Sequence, residues 1–112
     1  MKNLRNSVRL IGRLGDDPKV TKFDNGKQVV TFSLATDESY KNKEGEKVDE
    51  TQWHNIEVWG GLSTVAENYL KKGKEIAVEG RLVHESYEKD GETRYYSKVV
   101  LNDILLLGSK DK

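Results

Sequence analysis

Two tryptophans in one alternating stretch of the sequence are the residues best suited to bind a ligand directly. In the run 51–59, Ile56 and Val58 alternate with polar neighbours, which is the pattern of a half-buried β-strand. If these two residues face the core, Trp53 and Trp59 stand on the solvent side among polar residues. Because burial of a ring of that size is strongly favourable, two exposed rings need a functional reason. Stacking on nucleobases is such a reason, since every base presents a flat face.

Further aromatic and basic side chains extend this candidate surface. Two tyrosines lie in polar surroundings, one at the start of a polar segment and one on a late hairpin. The predicted base-stacking residues are therefore Tyr40, Trp53, Trp59 and Tyr87. Arginines spaced by four along the first strand share its solvent-side parity and could follow phosphates, as could two lysines near the end of a helical pattern. The predicted phosphate contacts are Arg5, Arg9, Arg13, Lys71 and Lys72.

Structural explanations compete with each of these roles. Either tryptophan could instead cap the core or lie in a subunit interface, and the two tyrosines could be ordinary loop residues. The arginines could form a solvated face, and the lysines could complement the negative end of a helix. His54 shares the parity of Ile56 and Val58, which favours a core or subunit-interface position over a catalytic one.

Five strand patterns and one helical pattern must position these side chains. The period-two runs cover residues 8–14, 30–34, 51–59, 75–83 and 96–107. The fourth run places Leu82 on the core face with Ile76 and Val78. The helical pattern covers 63–72, with Ser63 as N-cap and Gly73 as its stop. Turn signals separate these elements at 15–18, 24–26, 42–46 (a long exposed loop) and 89–92.

This order of elements predicts an all-β fold, a five-stranded OB-fold Greek-key barrel with one α-helix between strands 3 and 4. SH3-like barrels and small sandwiches are competing folds, but neither requires a helix at that point. The length of 112 residues suits one domain, predicted as 1–108, with 109–112 as a frayed end.

The composition excludes several classes of site. The sequence has no cysteine and only two histidines, thirty residues apart, so no disulfide framework, thiolate nucleophile or zinc spacing is present. No metal or other cofactor is therefore predicted, and the sequence has no nucleophile elbow or phosphate-cradling glycine loop of an enzyme. No secretory signal or membrane-length apolar run occurs, so a cytoplasmic, nucleoid-associated protein is expected.

The charge distribution is compatible with DNA binding although the total is not basic. Lys plus Arg and Asp plus Glu both number 19, which gives zero net charge. The first 36 residues nevertheless carry seven basic against three acidic residues. The acidic residues concentrate in the segments 37–50 and 84–95, which carry turn signals. A basic leading strand thus accompanies the aromatic residues.

Several short motifs, in their order and spacing, resemble the bacterial single-stranded DNA-binding proteins over nearly the whole chain. The motifs are Asn6 to Gly15 with Asp17-Pro18, Asn25-Gly26, Leu34-Ala35-Thr36 with Glu38-Ser39, Trp53-His54, 65–73, Glu79-Gly80 with Leu82, and Arg94-Tyr95 with Val99-Val100. The resemblance implies an OB-fold homotetramer that wraps single-stranded DNA in replication, recombination and repair. It also implies base stacking at the four aromatic positions, a phosphate contact at Lys72 and a subunit contact at His54.

Two departures from that family pattern affect the expected partners. Val83, His84 and Glu85 occupy arm positions that are often basic in relatives, which weakens phosphate binding there. The family usually continues into a flexible linker and an acidic tip that recruits replication and repair proteins, and this sequence stops at Lys112 without them. Such proteins are possible partners, but recruitment through a tail is not predicted.

A dimeric adaptor of the primosomal type, whose OB surface contacts proteins, is the competing function. Relatives of that type often lack part of the aromatic set. Stacking alone does not distinguish DNA from RNA, because it does not read the sugar.

Overall fold

The computed structural model describes residues 4–107, which form six strands and one helix. The elements are β1 (Val8–Leu14), β2 (Lys19–Lys22), β3 (Gln28–Lys41), β4 (Lys47–Trp59), α1 (Gly60–Tyr69), β5 (Glu75–Lys89) and β6 (Glu92–Leu106). The strands form one sheet in the order β1-β5-β6-β4-β3-β2, and β1 also pairs with β3. That last pairing closes a five-stranded barrel, so the predicted OB-fold with one helix is confirmed. The predicted end segment 109–112 lies outside the described residues.

The core lies inside the barrel and is built by alternation along each strand. Val30 and Leu34 of β3, Val58 of β4 and Ile76 of β5 are fully buried. The helix α1 adds Ala66 to the same cluster. Alternating burial of this kind leaves the other half of each strand on the outer wall, where a ligand can reach it.

The short strand β2 was not predicted. It pairs antiparallel with β3, from Lys19 opposite Thr31 to Lys22 opposite Gln28. Four residues with one half-buried valine give too short an alternation to be recognised in the sequence. The strand nevertheless matters for the site, because it brings the following turn next to the end of β4.

Helix α1 starts earlier than predicted. It begins at Gly60, directly after β4, and Trp59 is its N-cap residue. Ser63 is therefore not the N-cap: it is buried in the first turn and donates to the carbonyl of Gly60. Gly60 has φ +68, a left-handed conformation that lets a strand turn into a helix without a connecting loop. The helix ends at Tyr69, and the predicted stop residue Gly73 lies in the turn beyond it.

Two long hairpins project from the barrel as arms. The β3–β4 arm (residues 37–51) continues the pairing to Lys41 opposite Lys47, so the predicted long loop is a tight turn. The β5–β6 arm (residues 83–98) runs to Lys89 opposite Glu92. Leu82 is 39% exposed, which contradicts its predicted core position, because β5 leaves the barrel at that point.

Candidate nucleic-acid interface

The outer face of β4 carries both tryptophans. Trp53 is 61% exposed and Trp59 is 42% exposed, on the opposite parity from buried Ile56 and Val58. The two rings thus point away from the core, as the alternation predicts. Six residues of extended strand separate them, roughly 20 Å at 3.3 Å per residue. One continuous strand therefore presents two separate exposed aromatic rings.

The ring of Trp53 rests on the backbone of Gly15. A Cβ atom built on Gly15 would lie 2.3 Å from Cζ3 of Trp53 and 3.2 Å from the hydroxyl oxygen of Ser33. Only a residue without a side chain allows so close an approach. Gly15 follows directly after β1, so the first strand supports one side of the ring while most of the ring stays open to solvent.

Adding a methyl group at Gly15 is therefore expected to displace Trp53. We predict that Gly15→Ala lowers affinity for oligo(dT) about fivefold, close to 1 kcal/mol and part of one stacking contribution. Fluorescence anisotropy of a labelled oligonucleotide measures the change. In a Trp53→Ala background the same substitution should have little further effect, because the ring is already gone. An equal loss in both backgrounds would show that Gly15 acts elsewhere.

Trp59 is held by two contacts. Its ring stacks on Phe23 with centroids 6.0 Å apart and an interplanar angle of 10°. Its Nε1 donates to Oε1 of Glu57 at 2.9 Å. Phe23 lies in the turn between β2 and β3 and is itself partly exposed. Sequence analysis missed Phe23, since a single aromatic residue in a turn has no alternation that would place it.

Tyr87 on the β5–β6 arm belongs to the same outer face. Its ring makes an edge contact with Tyr96, with centroids 5.9 Å apart. Two residues further along β6, Lys98 reaches back to Glu57 on β4. By alternation these side chains share one side of the sheet with the tryptophans. We call the outer surface from Trp59 and Trp53 across β6 to Tyr87 the stacking face.

Tyr40 lies on the other side of the β3–β4 arm. Its register partner is Val48. Alternation along β3 places Tyr40 on the same side as Thr36. Ala35, the register partner of Trp53, lies on the other side. Tyr40 is about half exposed. The four predicted stacking residues therefore fall on two sides of this hairpin, three on the stacking face and one on its reverse. Its role as a stacking residue stays a prediction.

His54 points away from the stacking face. It is half-buried, and its Nε2 lies 3.0 Å from the hydroxyl oxygen of Thr36. This agrees with the core-side parity inferred for the residue. Its role in subunit contact stays a prediction.

The predicted phosphate-binding arginines of β1 already have acidic neighbours. Arg9 lies 3.6 Å from Glu79, and Arg13 lies 3.8 Å from Glu75, both on β5. Arg13 also donates to the carbonyl of Gly73 at 3.1 Å. These pairs are solvent-exposed and so weak, but they neutralise part of the charge offered to a phosphate. Arg5 precedes β1 and is exposed.

Arg13 is the β1 arginine nearest to Trp53 along the sheet. In the register Arg13 is opposite Ala35, which in turn is opposite Trp53. Two strand spacings separate the first and last of these residues, about 10 Å. Arg9 lies four residues further from this row, on the wall formed with β5.

Lys71 and Lys72 are exposed and lie after α1, not at its last turn as predicted. The backbone N–H of Lys72 donates to Asp17 at 2.9 Å, and the N–H of Gly73 donates to the carbonyl of Leu14 at 2.9 Å. The turn is thereby fastened beside the end of β1, where Gly15 supports Trp53. The backbone of the turn that carries Lys72 is thus bonded to residues on either side of Gly15, and Arg13 lies in the register row of Trp53. Phosphate contacts at Arg13 and Lys72 stay a prediction.

A charged cluster lies on the stacking face between the tryptophans and Tyr87. Nζ of Lys98 lies 3.1 Å from Oε2 of Glu57 and 3.2 Å from Oε1 of Glu85. The side chains of Lys98 and Glu57 are only 14% and 18% exposed. The hydroxyl of Tyr96 donates to Glu85. We call Glu57, Glu85, Tyr96 and Lys98 the central cluster.

The protonation states of the central cluster follow from these hydrogen bonds. The bond from Tyr96, and then the ammonium of Lys98, lower the pKa of Glu85. Burial acts to lower the pKa of Lys98, but its hydrogen bonds to both glutamates outweigh burial and raise it. The bond to Glu85 raises the pKa of Tyr96. Glu85 and Lys98 are therefore charged at neutral pH and Tyr96 keeps its proton.

The central cluster was missed by sequence analysis, which noted Glu85 only as a departure from a basic arm. Glu57 and Lys98 are 41 residues apart and meet because β4 and β6 pair in parallel. Alternation within single strands does not reveal such a pairing.

Residues 4–107 contain neither a candidate metal site nor a membrane-spanning helix. No group of three or more histidine, aspartate or glutamate residues in this range could hold a metal ion. Within the same range, the one helix is too short to be a membrane span.

Comparison with known proteins places these features in context. The model of the single-strand binding protein family matches residues 5–107. Single-stranded DNA-binding protein 1 of Chlorobaculum tepidum is 42% identical over 108 residues, which cover 95% of this chain and 67% of that protein. The single-stranded DNA-binding protein of Neisseria meningitidis serogroup B is also 42% identical, over 96% of this chain and 62% of its own length. The chain thus spans about two thirds of these relatives.

Two solved structures are similar to the whole barrel with its arms. An SSB of Plasmodium falciparum, in complex with ssDNA, superposes with a TM-score of 0.87 at 31% identity, covering 96% of this chain and 98% of that one. A deletion mutant of the single-stranded DNA binding protein from Thermus aquaticus gives 0.82 at 28% identity, covering 94% and 51%.

Proposed function

Because this chain belongs to the single-strand binding protein family, we propose that it binds and protects single-stranded DNA in replication, recombination and repair. The observation that carries the proposal is the pair of exposed tryptophans on one outer face, each supported from behind, by Gly15 or by Phe23. A ring that is held in place loses little conformational freedom when a base covers it. The proposed role is binding without catalysis, and it would associate the protein with the nucleoid.

Base stacking supplies most of the affinity in this proposal. Bases stack on Trp53, Trp59 and Tyr87 across the stacking face, and on Tyr40 where the strand passes around the β3–β4 arm. Each stack contributes about 1–3 kcal/mol and accepts any base. The affinity is thus largely independent of sequence.

Phosphate contacts have a smaller part. Arg13, in the register row of Trp53, and Lys72, in the turn bonded beside the end of β1, are the leading candidates, followed by Arg5, Arg9 and Lys71. The neighbouring glutamates reduce the charge that Arg9 and Arg13 offer. Binding should therefore respond only weakly to salt.

Titration with oligo(dT) tests this proposal. We expect quenching of tryptophan fluorescence as bases cover Trp53 and Trp59. Between 50 and 200 mM salt, the logarithmic slope of affinity should be about −2, since each neutralised phosphate of a single strand contributes roughly −0.7. A slope steeper than about −5 would mean that phosphate contacts dominate. Absence of quenching, together with a dimeric mass, would favour the adaptor function instead.

We further propose that the protein is a homotetramer, with His54 in a subunit contact. Apolar side chains on the outer wall support association: exposed Ile11 and Leu105, with half-buried Ala77, line a shallow cavity of about 230 Å³ over β1, β5 and β6. In the described register β1 pairs with β3 only at Arg13 and Leu14, and Gly12 lies against the backbone of Ala35, so the edge of residues 8–11 is open to a further strand. The mass in solution, relative to 12.8 kDa for one chain, measures the oligomeric state.

A further inference from the structure

A small pocket opens on the stacking face beside the central cluster. It has a volume of about 290 Å³ and lies between β3, β4 and β6, with Ile56 and Phe32 at its apolar side. Asn55, Glu57 and Lys98 provide polar groups at its wall. At roughly 30 Å³ for each water molecule, this is space for about ten waters, so one pyrimidine ring fits.

Hydrogen-bond acceptors outnumber donors at this pocket. Glu57 lines the pocket, and Glu85 lies beside it, joined to the lining residues Tyr96 and Lys98. The two glutamates bring four carboxylate oxygens, each able to accept more than one bond. The donors nearby are already engaged with them: Lys98 bridges both carboxylates, Tyr96 donates to Glu85, and Trp59 donates to Glu57. Asn55 donates its amide to the carbonyl of Ser97. The hydroxyl of Thr31, which can donate or accept, also lines the pocket. A ligand edge turned toward the two carboxylates meets mainly acceptors with negative charge.

The net charge of the cluster decides which part of DNA can occupy the pocket. Two carboxylates and one ammonium sum to −1, in a position where Lys98 and Glu57 are largely shielded from water. Glu85 is more exposed, at 42%. A phosphate there would still face like charge at short range, with reduced screening at Glu57. The sugar-phosphate backbone must therefore pass elsewhere, toward Arg13 and Lys72, and a base must face the cluster.

We propose that Glu57 and Glu85 select for a base with an exocyclic amino group, so that cytosine is preferred over uracil or thymine at this position of the bound strand. The inference rests on the proposed function and adds a bias in base type to it. The amino group of cytosine donates two hydrogens that a carboxylate can accept. Uracil and thymine place a carbonyl oxygen at that position, which the carboxylates repel, and keep a single N–H donor between two carbonyls.

The comparison of oligo(dC) with oligo(dU) of equal length, at pH 8, isolates this edge of the base. The two pyrimidines differ only in the amino or carbonyl group and the adjacent ring nitrogen, and neither carries a methyl group. We expect about fivefold tighter binding of oligo(dC) to the unaltered protein. In the double variant Glu57→Gln, Glu85→Gln the two affinities should lie within twofold, with the single variants between, since an amide offers a donor as well as an acceptor.

Glu88→Gln is the matched control. Glu88 lies on the same strand three residues from Glu85, and by alternation it belongs to the opposite face of the arm, opposite Thr93. The substitution Glu88→Gln removes the same charge, but on the other face of the arm. The ratio of the two affinities should therefore stay unchanged. Glutamine retains the shape of glutamate and can accept the bonds from Lys98, Tyr96 and Trp59, so the variants should fold.

Three results would overturn the inference. These are equal affinities for both oligonucleotides in the unaltered protein, a fivefold ratio that survives the double substitution, and a parallel rise of both affinities in the variants. The last result would show that the cluster acts only through its charge. If neither oligonucleotide binds, the proposed function itself fails and this inference fails with it.

Discussion

Replacing Trp53 and Trp59 together by alanine is expected to weaken binding of oligo(dT) by about 2–6 kcal/mol, the sum of two stacking contributions of roughly 1–3 kcal/mol each. The two rings are roughly 20 Å apart along β4, beyond the range in which mutational effects usually couple. The single substitutions should therefore add up to the double one. Because the variant lacks both tryptophans, the measurement is anisotropy of a labelled oligonucleotide instead of intrinsic fluorescence.

Tyr69→Ala is the control for loss of an exposed aromatic residue. Tyr69 is exposed at the last residue of α1, at the opposite end of the helix from Trp59. Its removal should leave affinity unchanged within error. The tryptophan variant should keep its fold, because neither ring belongs to the buried core. A folded double variant with unaltered affinity would refute the stacking mechanism and leave the phosphate contacts to explain binding.

The neutral charge of the chain makes this experiment decisive. A strongly basic protein could lose two stacking residues and still hold DNA through phosphates. Here the arginines Arg9 and Arg13 are paired with glutamates, and the central cluster adds a net negative charge to the stacking face. Under the proposed function stacking carries most of the affinity, so its removal should be visible at moderate salt.

The barrel could be predicted from the sequence because its core strands alternate cleanly. Val30, Phe32 and Leu34 are buried together, and so are Ile56 and Val58, as period two requires. The same parity placed both tryptophans outside. Within a barrel strand, the alternation of apolar and polar residues in the sequence therefore predicts which side chains face the core and which face solvent.

The arms could not be predicted in the same way. Beyond the barrel neither face of a hairpin is buried, so the alternation that marks a strand disappears and polar residues resemble a loop. The sequence therefore predicts a long exposed loop at 42–46 and no strand directly on either side of it, whereas the pairing of β3 with β4 extends to Lys41 and Lys47. The side of the arm on which Tyr40 lies is not evident from the sequence either. Leu82 shows the reverse error, since it continues the core parity of β5 past the point where the core ends.

Contacts between residues on strands that are far apart in the sequence could not be predicted either. Phe23 meets Trp59 through β2, and Lys98 meets Glu57 through a parallel pairing of two strands. Each contact depends on the order of strands in the sheet, which no local pattern contains. The residues that support and modulate the candidate site were for this reason harder to find than the stacking residues themselves.

Closure of the barrel depends on Gly12, the glycine within β1, and its substitution should have a large effect on stability. A Cβ atom built on Gly12 would lie 2.2 Å from the carbonyl oxygen of Ala35, a backbone atom in the strand that β1 joins to close the barrel. Because backbone cannot rotate away as a side chain can, Gly12→Ala must separate β1 from β3. Overpacking usually costs about 1–3 kcal/mol, and we expect the upper part of that range.

Gly61→Ala is the comparison variant, and it should raise the free energy of unfolding where Gly12→Ala lowers it. Gly61 lies in the first turn of α1, and a Cβ built there meets open space among the described residues. Alanine in a helix is more favourable than glycine by roughly 0.5–1 kcal/mol, so this variant should be more stable than the parent. Urea unfolding at one fixed protein concentration measures both, since association would otherwise shift the midpoints. If Gly12→Ala were as stable as Gly61→Ala, the close approach of β1 to β3 could not be what closes the barrel. A different contact would then have to hold β1 against Ala35, the residue of β3 that is the register partner of Trp53.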